Sequence, residues 1–205
     1  MGLMICPCFV DTCLAESETN LVIDRSKREL RLSNKNGKVL LRSAVGIGRG
    51  GLAQKKNMND CISPAAHCKV DLVLYKNPAY NAISSELKQK YNGEKIAMTY
   101  LYSKADLSKL FANMNSIDFN GDGKADSAYG AGYIGLDSRD APTGPKLSNY
   151  KGTVYWFSIA LHGTSNEKKN IGFANSGGCI QLPETVLKEL IEQGRLKVGS
   201  ELTIK

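Results

Sequence analysis

The 205-residue sequence predicts a mainly β fold with some helix. Three observations carry that prediction. Short runs rich in Val, Ile and Leu are separated by turn signals, two stretches repeat apolar residues with helical spacing, and the chain closes on an alternating run, LKVGSELTIK. The length suits one domain with an insertion and is enough to bury a sizeable core.

Residues 1–19 read either as a signal peptide or as a disordered tail. Cys13-Leu14-Ala15 before Glu16 puts small residues where a signal peptidase cuts, but Pro7 interrupts the apolar stretch and no positive segment precedes it. From Asn20 the runs LVID, RELRLS and KVLLRSAVGIG read as strands, the last two joined by the hairpin signal Asn34-Lys35-Asn36-Gly37. Leu30 and Leu32 alternate with charged neighbours, as a half-buried strand requires. The Gly46–Gly51 loop lacks the Lys-Ser/Thr ending of a phosphate loop and reads as a turn between strands. KVDLVLY after Ser63-Pro64 is a further strand. Beyond it Ser103-Lys104-Ala105-Asp106 starts a helix by capping, with Leu107, Leu110, Phe111 and Met114 as its buried stripe.

Asp118, Asn120, Asp122 and Asp126 follow at positions one, three, five and nine of an EF-hand-like loop, with Gly123 at the sixth. Position twelve is Tyr129, not the bidentate Glu. The reading stays open between Ca²⁺ held with help from Asp137 or Asp140 and a polar turn. Tyr133 to Tyr150 reads as a loop over the cleft. The apolar run Tyr155 to Leu161 reads as a buried strand delivering His162. Pro183 then opens a helix with Val186, Leu187, Leu190 and Ile191 on one face, ended by Gly194.

Composition excludes several classes. No apolar run approaches the roughly 20 residues of a spanning helix, so an integral membrane protein is not expected. The net charge of +7 is scattered, with no aromatic-basic module, so neither is a nucleic-acid partner. A basic surface also suits work on an anionic polymer. Of the six cysteines, Cys6, Cys8 and Cys13 sit in the N-terminal segment. Cys61 and Cys68 are near enough in sequence to bridge across a loop. With two histidines and no C-x-x-C or H-x-x-H pair, a zinc site is not expected.

The chemistry gathers in IALHGTSNEKKNIGFANSGGCIQL, Ile159 to Leu182. A thiol attacks as the thiolate, so it needs a base and donors for the oxyanion it creates. Cys179 has His162 upstream and Gly177-Gly178 before it, and the N–H groups of Gly178 and Cys179 are the expected oxyanion donors. His67, in S-P-A-A-H-C, pairs with no nucleophile and reads as structural.

His162-Gly163-Thr164 together with Ser176-Gly177-Gly178-Cys179-Ile180-Gln181-Leu182 resembles the signature of the L,D-transpeptidase catalytic domain family (YkuD-type): HG, then S-(H/R)-G-C-(I/V)-R-(L/M). Ser63-Pro64-Ala65-Ala66-His67-Cys68 resembles its T-P-x-G-x-F, and Val198 to Ile204 its closing strand. The resemblance implies a β-sandwich catalytic domain over residues 20–205, interrupted by a helical and loop insertion at about 77–150. Gly177 stands for the His or Arg, Gln181 for the Arg, Ala66 for a Gly, and Cys68 for a core Phe. In the family that Arg lines a substrate carboxylate site. Gly177 and Gln181 are thus the expected substrate-binding positions, and Gln181 supplies no charged fork.

The resemblance also implies a mechanism. His162, oriented by the Gly163 carbonyl, deprotonates Cys179, and the thiolate attacks a peptidoglycan stem peptide to give a thioester; Ser176 hydrogen-bonds within the pocket. An amine acceptor gives a crosslink, water gives carboxypeptidase activity, and no cofactor is required. It implies a periplasmic, secreted or wall location. The residues leave two rivals open: a weak or inert wall-binding protein, and a cysteine hydrolase of another peptide or amide.

Overall fold

The computed structural model describes residues 19–87, 103–138, 140–143, 147–150, 153–156 and 158–205. The segment read as a signal peptide or tail lies outside them. Strands β1 (Thr19–Asp24), β2 (Glu29–Asn34) and β3 (Val39–Ala44) form an antiparallel meander. Its second turn is the Asn34–Gly37 hairpin: Asn34 Oδ1 accepts from the N–H groups of Asn36 and Lys38, and Gly37 takes φ 78°. Leu30 and Leu32 point inward against Ile23 and Leu21.

The chain continues through β4 (Ile47–Gly48), β5 (Ala66–Tyr75) and β6 (Ala82–Ile83) to helix α1 (Lys104–Asn115). Then come β7 (Gly132–Ser138), β8 (Leu147–Tyr150), β9 (Thr153–Trp156) and β10 (Ala160–His162). The remainder is α2 (Glu167–Asn170), β11 (Ala174–Ser176), β12 (Ile180–Gln181), α3 (Glu184–Glu192) and β13 (Glu201–Ile204). Among the described residues the main sheet has nine strands in the order β12-β10-β7-β5-β13-β1-β2-β3, with β6 on β5. The fold is mostly β with a curled sheet and few helices.

The sheet separates two cores. On one side Val70, Val73, Ile134, Leu136, Leu161 and Ile180 pack with Leu187, Leu190 and Ile191 of α3. On the other, Leu72, Leu74, Tyr133 and Ala160 pack with Leu107, Leu110, Phe111 and Met114 of α1. Each fully buried side chain of that size contributes about 1.5–3 kcal/mol, so the α1 stripe is ample to hold the helix on the sheet. Ser103 caps α1 as its sequence predicts, its Oγ accepting from Asp106 N–H at 3.1 Å.

Three expectations need correction. Tyr133 to Tyr150 is not all loop: its first residues form β7, the strand between β5 and β10. The interruption at about 77–150 therefore includes a strand of the main sheet. Tyr155 to Leu161 is not one strand, because β9 ends at Trp156 and Ser158 intervenes before β10, its hydroxyl donating to Leu136 O. The closing run is strand only over Glu201–Ile204, since Gly199 at φ 89° turns the chain just before it. The disulfide that the spacing left open is not formed: Cys68 is buried in β5, while Cys61 sits in a left-handed turn with its thiol toward Asn59 O.

Candidate active site

The candidate base His162 ends β10, and the candidate nucleophile Cys179 immediately precedes its neighbour β12. β10 and β12 run parallel with Leu161 opposite Ile180 and His162 opposite Gln181, so Cys179, one residue earlier, lies beside Ala160. Side chains alternate across a strand. Leu161 and Ile180 enter the α3 core, and Ala160, His162 and Cys179 share the opposite face. This short pairing places the two candidate side chains on one surface.

His162 is 5% exposed. Tyr133, its partner across β7, stacks at 6.3 Å between ring centroids, and Tyr129 meets it edge-on at 5.1 Å. Burial pushes its pKa down to about 4, against the Gly163 carbonyl, which works to raise it. The ring is therefore neutral near pH 7. Nδ1 lies 2.6 Å from Gly163 O, which can only accept, so Nδ1 carries the proton and Nε2 is left as the basic nitrogen. Burial pushes the Cys179 thiol up to about 11, opposed by the Ala160 N–H and the charge of Lys55. Its Sγ contacts Ser158 O at 3.7 Å. The resting pair is a neutral thiol beside a neutral imidazole.

The turn before Cys179 is locked by its own serine. Ser176 Oγ donates to Cys179 O and accepts from Gly178 N–H at 3.1 Å. Gly178 takes φ 126°, a conformation L side chains rarely adopt. The Gly178 N–H is therefore engaged with Ser176 and not aimed at an oxyanion; of the two expected donors, Cys179 N–H remains. Ser63 Oγ donates to Gly178 O at 2.9 Å and accepts from Gly48 N–H at 2.9 Å, tying the turn to β4. Gly177 is exposed, with open space where a side chain would project. Gln181 is different: it is 9% exposed, and its Oε1 is buried against the Gly46 backbone with no hydrogen-bond partner.

Sequence reasoning missed several supporting residues. Glu184 accepts from Thr164 N–H through Oε1 at 2.8 Å and from Ala131 N–H through Oε2 at 2.9 Å, pinning the turn after His162 to the segment before β7. Its carboxylate lies where a Cβ on Gly163 would be, which explains the glycine. The local signal, Pro-Glu at a helix start, announced a first-turn acid and nothing of its partners. Lys55 carried no signal beyond polarity, and Ser63 only its place at the head of the Ser63-Pro64 segment, which says nothing of Gly178. A groove of about 970 Å³ runs beside this turn, bordered by Phe111, Asn115, Gly130, Thr164, Asn166 and Glu184. A second cavity of about 720 Å³ lies by His67, Cys68 and Asp137, away from Cys179.

The Asp118–Asp126 loop is closed by its own hydrogen bonds. Asp118 accepts from the N–H groups of Gly121, Asp122 and Gly123, Asn120 Oδ1 accepts from Asp122 N–H, and Asp126 accepts from Phe119 N–H and from the Asn120 amide. Asp140 instead accepts from His67 N–H. Among the described residues, no three His, Cys, Asp or Glu side chains gather to hold a metal ion. The acidic side chains of this loop do not gather in this arrangement. His67 is exposed and bonds Thr203, as a structural residue. No helix among the described residues is long and apolar enough to cross a membrane.

A family profile described as the L,D-transpeptidase catalytic domain, YkuD, matches residues 18–204. Among solved structures, the chain is similar to the L,D-transpeptidase of Xylanimonas cellulosilytica, at 12% identity and TM-score 0.45 over 92% of this chain and 61% of that one. It is similar to Bd1075 of Bdellovibrio bacteriovorus at 16% identity and TM-score 0.47, covering 92% and 48%. It is also similar to the helical cell shape determining protein Pgp2 of Campylobacter jejuni at 13% identity and TM-score 0.48, covering 93% and 48%. The chain thus spans about half to three-fifths of these proteins. No curated protein matches it. With its HG and S-G-G-C-I-Q segments on adjoining strands and the profile spanning nearly its whole length, the chain belongs to the L,D-transpeptidase catalytic domain family.

Proposed function

We propose that this chain is a cysteine-dependent L,D-transpeptidase acting on peptidoglycan stem peptides in the periplasm or at the wall. The observation that carries the reading is the tautomer of His162: Nδ1–H held by Gly163 O leaves Nε2 basic on the face that carries Cys179. The thiol turns from Ser158 O toward Nε2, which takes its proton as Sγ attacks the carbonyl carbon of a bond from an L-centre to a D-centre. Cys179 N–H receives the oxyanion. The carbon–nitrogen bond then breaks, the imidazolium returns the proton to the departing amine, and a thioester remains. An amine from a second stem resolves it to a crosslink, and water to a shortened stem. No step needs a cofactor.

The neutral resting pair supports a mechanism in which the proton moves as substrate arrives, not a preformed ion pair. A weak or inert wall-binding protein is the second reading, favoured by Gln181, whose buried amide replaces the family's carboxylate-anchoring Arg. Incubation with purified muropeptides and mass analysis decides between them. Transpeptidase function predicts crosslinked or shortened stems from wild type, a mass adduct on Cys179, and neither from Cys179→Ala with an unchanged circular dichroism spectrum. Unaltered muropeptides with wild type refute it.

A further inference from the structure

Behind the Cys179 turn lies a charge that the proposed chemistry does not use. The side chain of Lys55 is 0% exposed. Its ammonium donates to Asp60 Oδ1 at 2.8 Å and to Ile62 O at 3.0 Å. It also lies 3.6 Å from the point a Cβ on Gly178 would occupy, with Ile62 O 3.2 Å from that same point. Asp60 is held in turn by the N–H groups of Lys56, Asn57 and Ile62. Those bonds and Lys55 keep its carboxyl well below the usual range, although burial works the other way. The clamp is rigid, and Ser63 binds Gly178 O from the same loop.

A buried ammonium is costly to desolvate, and a neutral replacement of the whole Lys55–Asp60 pair fills such a space at less expense. What the charge adds is potential at the thiol, of which the ionised Asp60 carboxylate, 2.8 Å from the ammonium, offsets a part. His162 and Tyr133 face the same pocket, but both are neutral near pH 7. Gly177 and Gly178 carry no side chains.

We propose that Lys55 is a positioning residue for the nucleophile: clamped by Asp60 and Ile62 O behind Gly178, its ammonium supplies the positive charge against which Cys179 gives up its proton. This rests on Cys179 being the nucleophile, and the test separates the two.

The test measures the second-order rate of alkylation by iodoacetamide at the peptide containing Cys179, by mass spectrometry between pH 7 and 9, in wild type, Lys55→Gln, Lys55→Met and Lys55→Arg. Below the thiol pKa the rate follows the thiolate fraction and rises tenfold per pH unit. Lys55→Gln retains donors for Asp60 and Ile62 O but loses the charge. It is expected to react about tenfold more slowly at every pH with the same slope and an unchanged circular dichroism spectrum, at a lower melting temperature because Asp60 loses its counter-ion; Lys55→Met reacts as slowly and melts lower still, while Lys55→Arg stays near wild type. A Lys55→Gln rate within about twofold of wild type overturns the proposal, because an effect of the hydrogen bonds alone leaves Gln unchanged. Failure of Lys55→Gln to fold also overturns it, assigning Lys55 to the scaffold. An inert Cys179 in folded wild type, with Cys61 labelled in the same sample, refutes the nucleophile itself and this role with it.

Discussion

Burying His162 as a neutral ring makes the protein's stability depend on pH in a way one substitution can isolate. In the unfolded chain the imidazole titrates near 6.5, and in the fold it is pushed down to about 4. The unfolded state therefore binds the extra proton first as pH falls. The stability contributed by the neutral ring is fully present above pH 6.5 and is lost as pH falls toward 4. At about 1.4 kcal/mol per pH unit, that interval is worth on the order of 3 kcal/mol, a large part of the 5–15 kcal/mol typical of a domain. His162→Gln removes the titration and leaves a neutral donor for Gly163 O. Urea unfolding of both proteins at pH 7, 6, 5 and 4 gives the difference in stability, from which carboxylates common to both cancel. Wild type is expected to lose about 3 kcal/mol relative to the variant across the interval and nothing between pH 6.5 and 8. A difference that stays flat from pH 7 to 4 refutes the lowering of the His162 pKa by burial.

Removing Glu184 leaves the N–H groups of Thr164 and Ala131 without their acceptor, so Glu184→Ala should cost about 2–4 kcal/mol by urea midpoint, with a loss of turnover beyond that of an unrelated variant of equal stability. Gln181→Arg forces a longer, charged side chain against the Gly46 backbone and should lower stability by about 1–3 kcal/mol without improving turnover of stem tetrapeptides. Better turnover at an unchanged melting temperature would instead show that the position is a carboxylate anchor. Calcium binding at the Asp118–Asp126 loop predicts a higher melting temperature in millimolar CaCl₂ than in EDTA and no rise in Asp122→Ala, with affinity on the order of 10⁻⁴ to 10⁻³ M. Equal melting temperatures assign the loop to the Asp118 hydrogen bonds alone.

The parts legible in the sequence were those with local physical causes. Leu30 and Leu32 show their strand because one face is wet, and Ser103 shows its helix because a cap is a contact three residues long. β7 stayed hidden because both of its faces are covered, so its residues do not alternate, and Gly132 and Gly135 imitate a turn. The candidate pair Cys179 and His162 was visible as a motif, and the Gly163 carbonyl lies against His162 Nδ1. The engagement of Gly178 N–H with Ser176 was not visible, because it depends on the φ of 126° that closes the turn. Lys55 was more deeply concealed. It lies over 120 positions from Cys179 amid Gln54 and Lys56, and only the folded loop distinguishes a clamped interior cation from an ordinary solvated one.

The position of β13 has a kinetic side. It lies in mid-sheet, parallel to β1 and antiparallel to β5, so four residues join the β1–β3 meander to the half that carries Cys179 and His162. Until Glu201–Ile204 docks, β1 and β5 each present an open edge, and the docking closes a loop of more than 170 residues from β1. Closures of that span are slow, and unpaired edges in the meantime are sites of aberrant pairing between chains. Leu202 and Ile204, far from any chemistry, thus govern how much newly made protein escapes aggregation.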